Sequence, residues 1–326
     1  MISFIVTGFG PFQGVPENPT MILVQSLIEY IEQQEIARVS NDVQSTTNNS
    51  TAIPLSQRIR TFIIDTSYRA AQQQMDEIYQ EIIAFSSNRS SKENEEIVII
   101  LHLGVNSIGQ QYQIECCAYN EMQFRIPDMH GDQPQHCPII TTGTYQSVLQ
   151  TNLYQQSLLH NISNQLNQKR SNHINNSSDS PPSTTPIISN FLLRGTKINF
   201  LGNRRRTNDS YYYGTTSKLS TDPGRYVCNY IYYYSMYKFR AGTVAEQPEQ
   251  IKVSDEFDTV PSDTGTNTVE ENAESDTDTV PLPPPRVECL FLHVPPFTIA
   301  SKLQQLRFVT DLIRLLDKEV EQKQQK

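Results

Sequence analysis

Short, unbroken apolar runs alternate along this chain with longer stretches in which apolar residues return every three or four positions. Ile2 to Val6 is a β-branched run closed by Thr7-Gly8, and it predicts a buried strand. From Thr20 to Ile36, Ile22, Leu23, Leu27, Ile28 and Ile31 share one helical stripe, and the Asn-, Ser- and Thr-rich residues 38–51 predict a loop after it. Ser67 to Phe85 carries a second stripe of Ala71, Met75, Ile78, Ile82 and Phe85. A charged turn from Ser90 to Glu96 then leads into Ile97-Val98-Ile99-Ile100-Leu101, a second buried strand. Strand, helix, helix, strand is the order of an α/β sheet with helices packed on its faces.

The second half repeats the theme with interruptions. Ile198 to Leu201 and Glu288 to Leu292 predict strands, and the aromatic-rich segment from Arg225 to Phe239 predicts a helix. Ile299 to Val320 predicts a long amphipathic helix with Leu303, Leu306, Val309, Ile313, Leu316 and Val320 on its apolar side. Two stretches break the pattern. Residues 165–187 form a low-complexity run of Asn, Ser and Pro, and residues 240–286 are acidic, Thr-rich and end near Pro283-Pro284-Pro285. Neither holds enough apolar side chain to offset the entropy of ordering it, so both are expected to be disordered insertions in one domain spanning 1–326.

Charge narrows the function. The net charge of -9 disfavours a general nucleic-acid partner, which needs clustered Lys and Arg. The one basic run, Arg204-Arg205-Arg206, reads as a solvated loop. The apolar runs fall far short of the roughly 20 residues that cross a bilayer, so no membrane span is expected. Met1 to Val6 lacks a basic leader, and a cytoplasmic location is expected. The five cysteines, Cys116, Cys117, Cys137, Cys228 and Cys289, match no zinc spacing; neither a metal nor another cofactor is expected.

Four segments carry candidate chemistry. Thr7-Gly8-Phe9-Gly10-Pro11-Phe12 follows the first strand, at the sheet edge where α/β proteins bind ligands. Its two phenylalanines either line a small flat pocket or plug the core. Glu115 lies in a largely apolar run beside Cys116 and Cys117; it is either an orienting partner for a histidine or an exposed residue on an edge strand. Cys228 follows Pro223-Gly224 at the start of the aromatic helix, where free N–H groups favour a negatively charged sulfur. His293 ends a buried strand immediately before Val294-Pro295-Pro296, the most constrained setting among the histidines weighed.

In this order and register, T-G-F-G-P-F with Asn18-Pro19, H-L-G-V ending at Val105, Glu115 with Ala118 and Asn120, P-G-R-Y-V-C-N, and F-L-H-V-P-P resemble the pyroglutamyl peptidase I (pyrrolidone-carboxylate peptidase) family. The resemblance implies a single-domain α/β fold: a three-layer α/β/α sandwich around a central mixed sheet. It also implies a cysteine peptidase acting on peptides with an N-terminal pyroglutamate. Cys228 matches the nucleophile, His293 the general base and Glu115 its acidic partner. Phe9 and Phe12 match residues that hold the pyroglutamyl ring, and Asn18 a supporting position. There are departures: Cys116 replaces a basic residue, Pro223 an alanine, Val105 a glutamine of bacterial members, and the insertions are atypical. The Cys116 departure leaves a second reading open, a weakened member that binds pyroglutamyl termini or acts as an interaction protein. The insertions favour a monomer.

Overall fold

The computed structural model describes residues 2–41, 53–87, 96–155, 157–175, 192–193, 196–197, 213–240 and 285–324. Four parallel strands form the middle and one side of the main sheet: β1 (Ile2–Phe9), β2 (Ile59–Ile64), β3 (Ile97–Val105) and, much later in the chain, β10 (Arg286–Val294). β4 (Tyr112–Glu115) joins β10 antiparallel, and β9 (Ser217–Ser220) closes the far edge parallel to β4. The strand order is β2-β1-β3-β10-β4-β9, a mixed sheet. β5 (Cys117–Tyr119) and β6 (Val148–Gln150) form a separate two-stranded antiparallel sheet, as do β7 (Leu192–Leu193) and β8 (Thr196–Lys197).

Side-chain alternation along the strands feeds two cores. Phe4, Val6, Ile97, Ile99, Leu101, Leu103, Leu290 and Leu292 pack under α1 (Pro19–Asn41), α4 (Leu158–Asn175) and α6 (Lys302–Gln324). Ile5, Phe9, Val98, Ile100, Cys289 and Phe291 face the other way, under α2 (Tyr68–Ser87) and α5 (Val227–Lys238). One short helix, α3 (Asn152–Gln155), links β6 to α4. The result is the three-layer α/β/α arrangement, with each layer buried through the period-two alternation of the strands. Gly8 lies inside β1: a Cβ there would come within 2.6 Å of the Thr20 carbonyl, so its small size lets α1 sit down on the sheet.

Several elements differ from the sequence expectations. α1 continues to Asn41, through the first residues of the expected 38–51 loop, because neither Gly nor Pro interrupts it. The polar run expected to start at 165 begins inside α4, where Leu166 is fully buried against the core; residues 176–187 lie outside the described residues. Arg286, expected at the end of the second insertion, instead opens β10, and most of that insertion lies outside the described residues. So does the strand expected at Ile198–Leu201. Leu303 is 46% exposed at the start of α6, where its stripe has not yet reached the sheet. β2, β4, β5, β6, β7, β8 and β9 have no counterpart among the expected strands. Among the described residues, no helix is long and apolar enough to cross a membrane.

Candidate active site

Three adjacent strands bring the candidate residues together at one face of the sheet. His293 on β10 lies opposite Gly104 on β3, and Phe291 opposite His102. On the other side of β10, Phe291 faces Glu115 of β4, so Glu115 is the diagonal neighbour of His293. Ile114 and Cys116 belong to the α1-side core, which leaves Glu115 on the α5 side by alternation. The Cys116 side chain is therefore directed away from the face that holds Glu115.

Glu115 is fully buried, and its Oε1 lies 2.8 Å from His293 Nδ1. The Cys228 thiol is the second group that acts on this imidazole and favours its charged form. Burial works against a charged ring here, but Cys228 and the hydrogen-bonded Glu115 outweigh it and push His293 up to about 10. The Tyr232 hydroxyl donates to the Glu115 carbonyl at 2.9 Å and pins β4 to α5.

Cys228 is the second residue of α5 and is partly exposed. The N–H groups of a first helical turn have no partner within the helix, so they can receive developing negative charge. A Cβ at Gly104 would lie 2.6 Å from Phe291 Cζ and 3.0 Å from Cys228 Sγ. Gly104 is thus the space that allows the thiol to approach the strand beside His293. Its sequence signal was a glycine ending an apolar strand.

The loop after β1 borders the same edge. Phe9, the last residue of β1, is 3% exposed and belongs to the core on the α2 and α5 side. Phe12 is half-buried, its ring centroid 6.5 Å from that of Tyr226, two residues before Cys228. Asn18 donates through Nδ2 to the Gly10 carbonyl at 2.9 Å. Its Oδ1 accepts from the Thr20 N–H at 3.1 Å and hydroxyl at 2.9 Å, which caps α1 and fixes the loop.

A second buried imidazole, the histidine of H-L-G-V, was given no role by the sequence reading. His102 Nδ1 is 2.8 Å from Thr7 Oγ1, and its Nε2 is 3.0 Å from Ser235 Oγ. With only neutral partners, burial lowers it to about 3. Burial pushes Cys116 and Cys289 up to about 12 and raises Cys117; Cys137 is partly exposed, as Cys228 is, and its thiol donates to the Gln135 carbonyl at 3.1 Å. Among the described residues, no group of three or more His, Cys, Asp or Glu could hold a metal ion.

No protein-family model matches the chain, and no curated protein matches it. Solved structures do. Pyroglutamyl peptidase I of Bacillus amyloliquefaciens superposes with a TM-score of 0.51 at 15% identity, over 95% of this chain and 94% of that one. A mutant pyrrolidone carboxyl peptidase from Pyrococcus furiosus gives 0.53 at 15% identity, over 98% and 100%. Another mutant of that enzyme gives 0.51 at 16%, over 98% and 99%. At such identities the likeness establishes the fold: this chain has the architecture of those peptidases.

Proposed function

We propose that the chain is a cysteine peptidase that hydrolyses the amide bond after an N-terminal pyroglutamyl residue. The observation that carries this reading is the order Glu115, His293, Cys228 on one face, with Glu115 Oε1 2.8 Å from His293 Nδ1 and the Cys228 thiol acting on the same ring. That set supplies a nucleophile, a base and a group that orients the base. His293 holds the proton of the Cys228–His293 pair as an imidazolium, and the sulfur attacks the scissile carbonyl carbon as a thiolate. The Glu115 carboxylate holds the Nδ1–H and offsets the imidazolium charge. The tetrahedral oxyanion is met by N–H groups at the start of α5. The imidazolium then gives its proton to the departing amine as the C–N bond breaks, leaving a pyroglutamyl thioester. Water, deprotonated by the same imidazole, releases pyroglutamate and restores the thiol.

Recognition is assigned to the end of β1 and the loop after it. A pyroglutamyl ring is flat and mostly apolar, with one lactam N–H and one carbonyl. Phe9 and Phe12 are assigned to its faces, and Asn18 to holding their loop in place. Nothing here requires a bound cofactor or a metal. The one-domain reading for 1–326 is kept as part of the same proposal. A peptide-terminus binder without turnover is disfavoured by the side chain of Cys116, which lies on the other face of β4.

The test is chemical. Alkylation should abolish hydrolysis of a pyroglutamyl amide, and peptide mass spectrometry should find the label on Cys228. Full inactivation with Cys228 unlabelled would refute its role as nucleophile.

A further inference from the structure

Cys228 is reached through a tight segment, Ser220 to Tyr226, in which Arg225 makes an unusual number of contacts. Its Nε donates to Glu121 at 2.9 Å. Its Nη1 donates to Asp222 at 2.8 Å and to the Gly224 carbonyl at 2.6 Å. The guanidinium lies 3.8 Å above the Tyr119 ring, and the Arg225 carbonyl accepts from the Gln123 N–H at 3.1 Å. Glu121 is only 5% exposed and also accepts from the Tyr145 hydroxyl at 2.6 Å and from Gln146 Nε2 at 3.2 Å. These three donors outweigh burial and hold the Glu121 carboxyl below its usual range.

The residue after the cysteine is fastened to the same place. Asn229 is fully buried, accepts from the Tyr119 N–H at 2.9 Å, and donates to the Tyr119 and Glu121 carbonyls at 2.9 Å each. Residues 119–121 therefore grip the chain on both sides of Cys228, through charge on one side and through an amide on the other. A buried carboxylate left unpaired is costly, so the segment is restricted to conformations in which Arg225 reaches Glu121. Those conformations fix the direction of the first N–H groups of α5.

We propose that Glu121 and Arg225 are positioning residues, a charged latch that holds the segment ahead of Cys228 so that its backbone N–H meets the oxyanion. The catalytic consequence rests on the peptidase reading; the latch itself does not. Neither residue touches substrate in this scheme, and they act through the geometry of the turn.

The experiment pairs kinetics with amide hydrogen exchange in the full chain, for Arg225→Met, Glu121→Gln and the conservative Arg225→Lys. A misaimed oxyanion donor should lower kcat by about 10–100-fold in Arg225→Met and Glu121→Gln while KM stays within about twofold. Arg225→Lys, which keeps the charge, should recover part of the loss. Exchange in a peptide covering 220–228 should rise by about tenfold or more in both charge-removing variants, with α6 unchanged. Accelerated exchange in α6 as well would mean general destabilisation and would overturn the latch. So would unchanged exchange at 220–228, whether or not the wild type hydrolyses pyroglutamyl amides. Faster exchange at 220–228 with an unchanged kcat would overturn the positioning role. A wild type without any turnover would remove the peptidase reading and leave the exchange result alone to decide the latch.

Discussion

Two histidines lie on neighbouring strands, on the same face of one sheet, and their surroundings drive them to opposite charge states. His102 and His293 are 0% and 7% exposed. His102 is held by two neutral hydroxyls, so burial decides and it stays uncharged. His293 is held by a carboxylate and a thiol, and these partners override the burial that dominates at His102. Partner chemistry, not depth, separates a structural imidazole from one suited to proton transfer.

The sharpest way to break this contrast is to remove each ring in turn. His293→Gln should lower kcat/KM for a pyroglutamyl amide by about 10³–10⁴-fold, the scale of losing a general base. His102→Gln should stay within about tenfold in kcat/KM and instead lose about 1–3 kcal/mol of stability from its unmatched buried hydroxyls. Equal losses of activity would erase the distinction.

A smaller effect should come from the space between the two histidines. Gly104→Ala puts a methyl group into Phe291 and close to Cys228 Sγ. Overpacking of about 1–3 kcal/mol should reduce kcat/KM by about 10–100-fold, with the alkylation of Cys228 slowed in parallel. Unimpaired alkylation would show that Gly104 does not set the approach of the thiol.

Substitution at the loop should be milder still. Phe12→Ala removes a half-exposed ring and should raise KM, at a cost of about 1–2 kcal/mol in kcat/KM. Phe9→Ala removes a buried ring and should also lower the melting temperature, by several degrees for a loss of about 3–5 kcal/mol.

The pH dependence of stability should separate the two rings in sign. His102 is lowered from 6.5 to about 3, so its contribution is present above 6.5 and is lost as pH falls through that window. His293 is raised from 6.5 to about 10, so its contribution is full below 6.5 and is lost as pH rises towards 10. Melting curves of the two Gln variants against the wild type should therefore converge on opposite sides of neutrality. Convergence on the same side would contradict the assigned charge states.

The sequence made the parts of this site visible unevenly. Long apolar runs exposed β1, β3 and β10, and the motifs pointed to Cys228, His293 and Glu115, which the fold does bring together. Strands such as Ser217–Ser220 and Tyr112–Glu115 were illegible because four residues, at least half of them polar, form a strand only beside a ready partner. His102 was visible as the histidine of H-L-G-V, but an apolar strand gives no sign of which distant hydroxyls will satisfy a polar member. The Glu121–Arg225 pair joins residues far apart in the chain, and no local pattern marks such a contact. Cys116 stood out in sequence, yet strand parity turns it away from the face that carries Glu115.

The central claim is that this face hydrolyses pyroglutamyl amides through Cys228. Its most direct test is steady-state kcat/KM for matched pyroglutamyl, glutaminyl and prolyl amides, with Cys228→Ala as the control. Uncyclised Gln and Pro both carry a cationic amine, and placing it between Phe9 and Phe12 without an acidic partner costs several kcal/mol. The account predicts turnover of the pyroglutamyl amide alone, by orders of magnitude, and none by the variant. Comparable values for the three amides, or turnover that survives in Cys228→Ala, would contradict it.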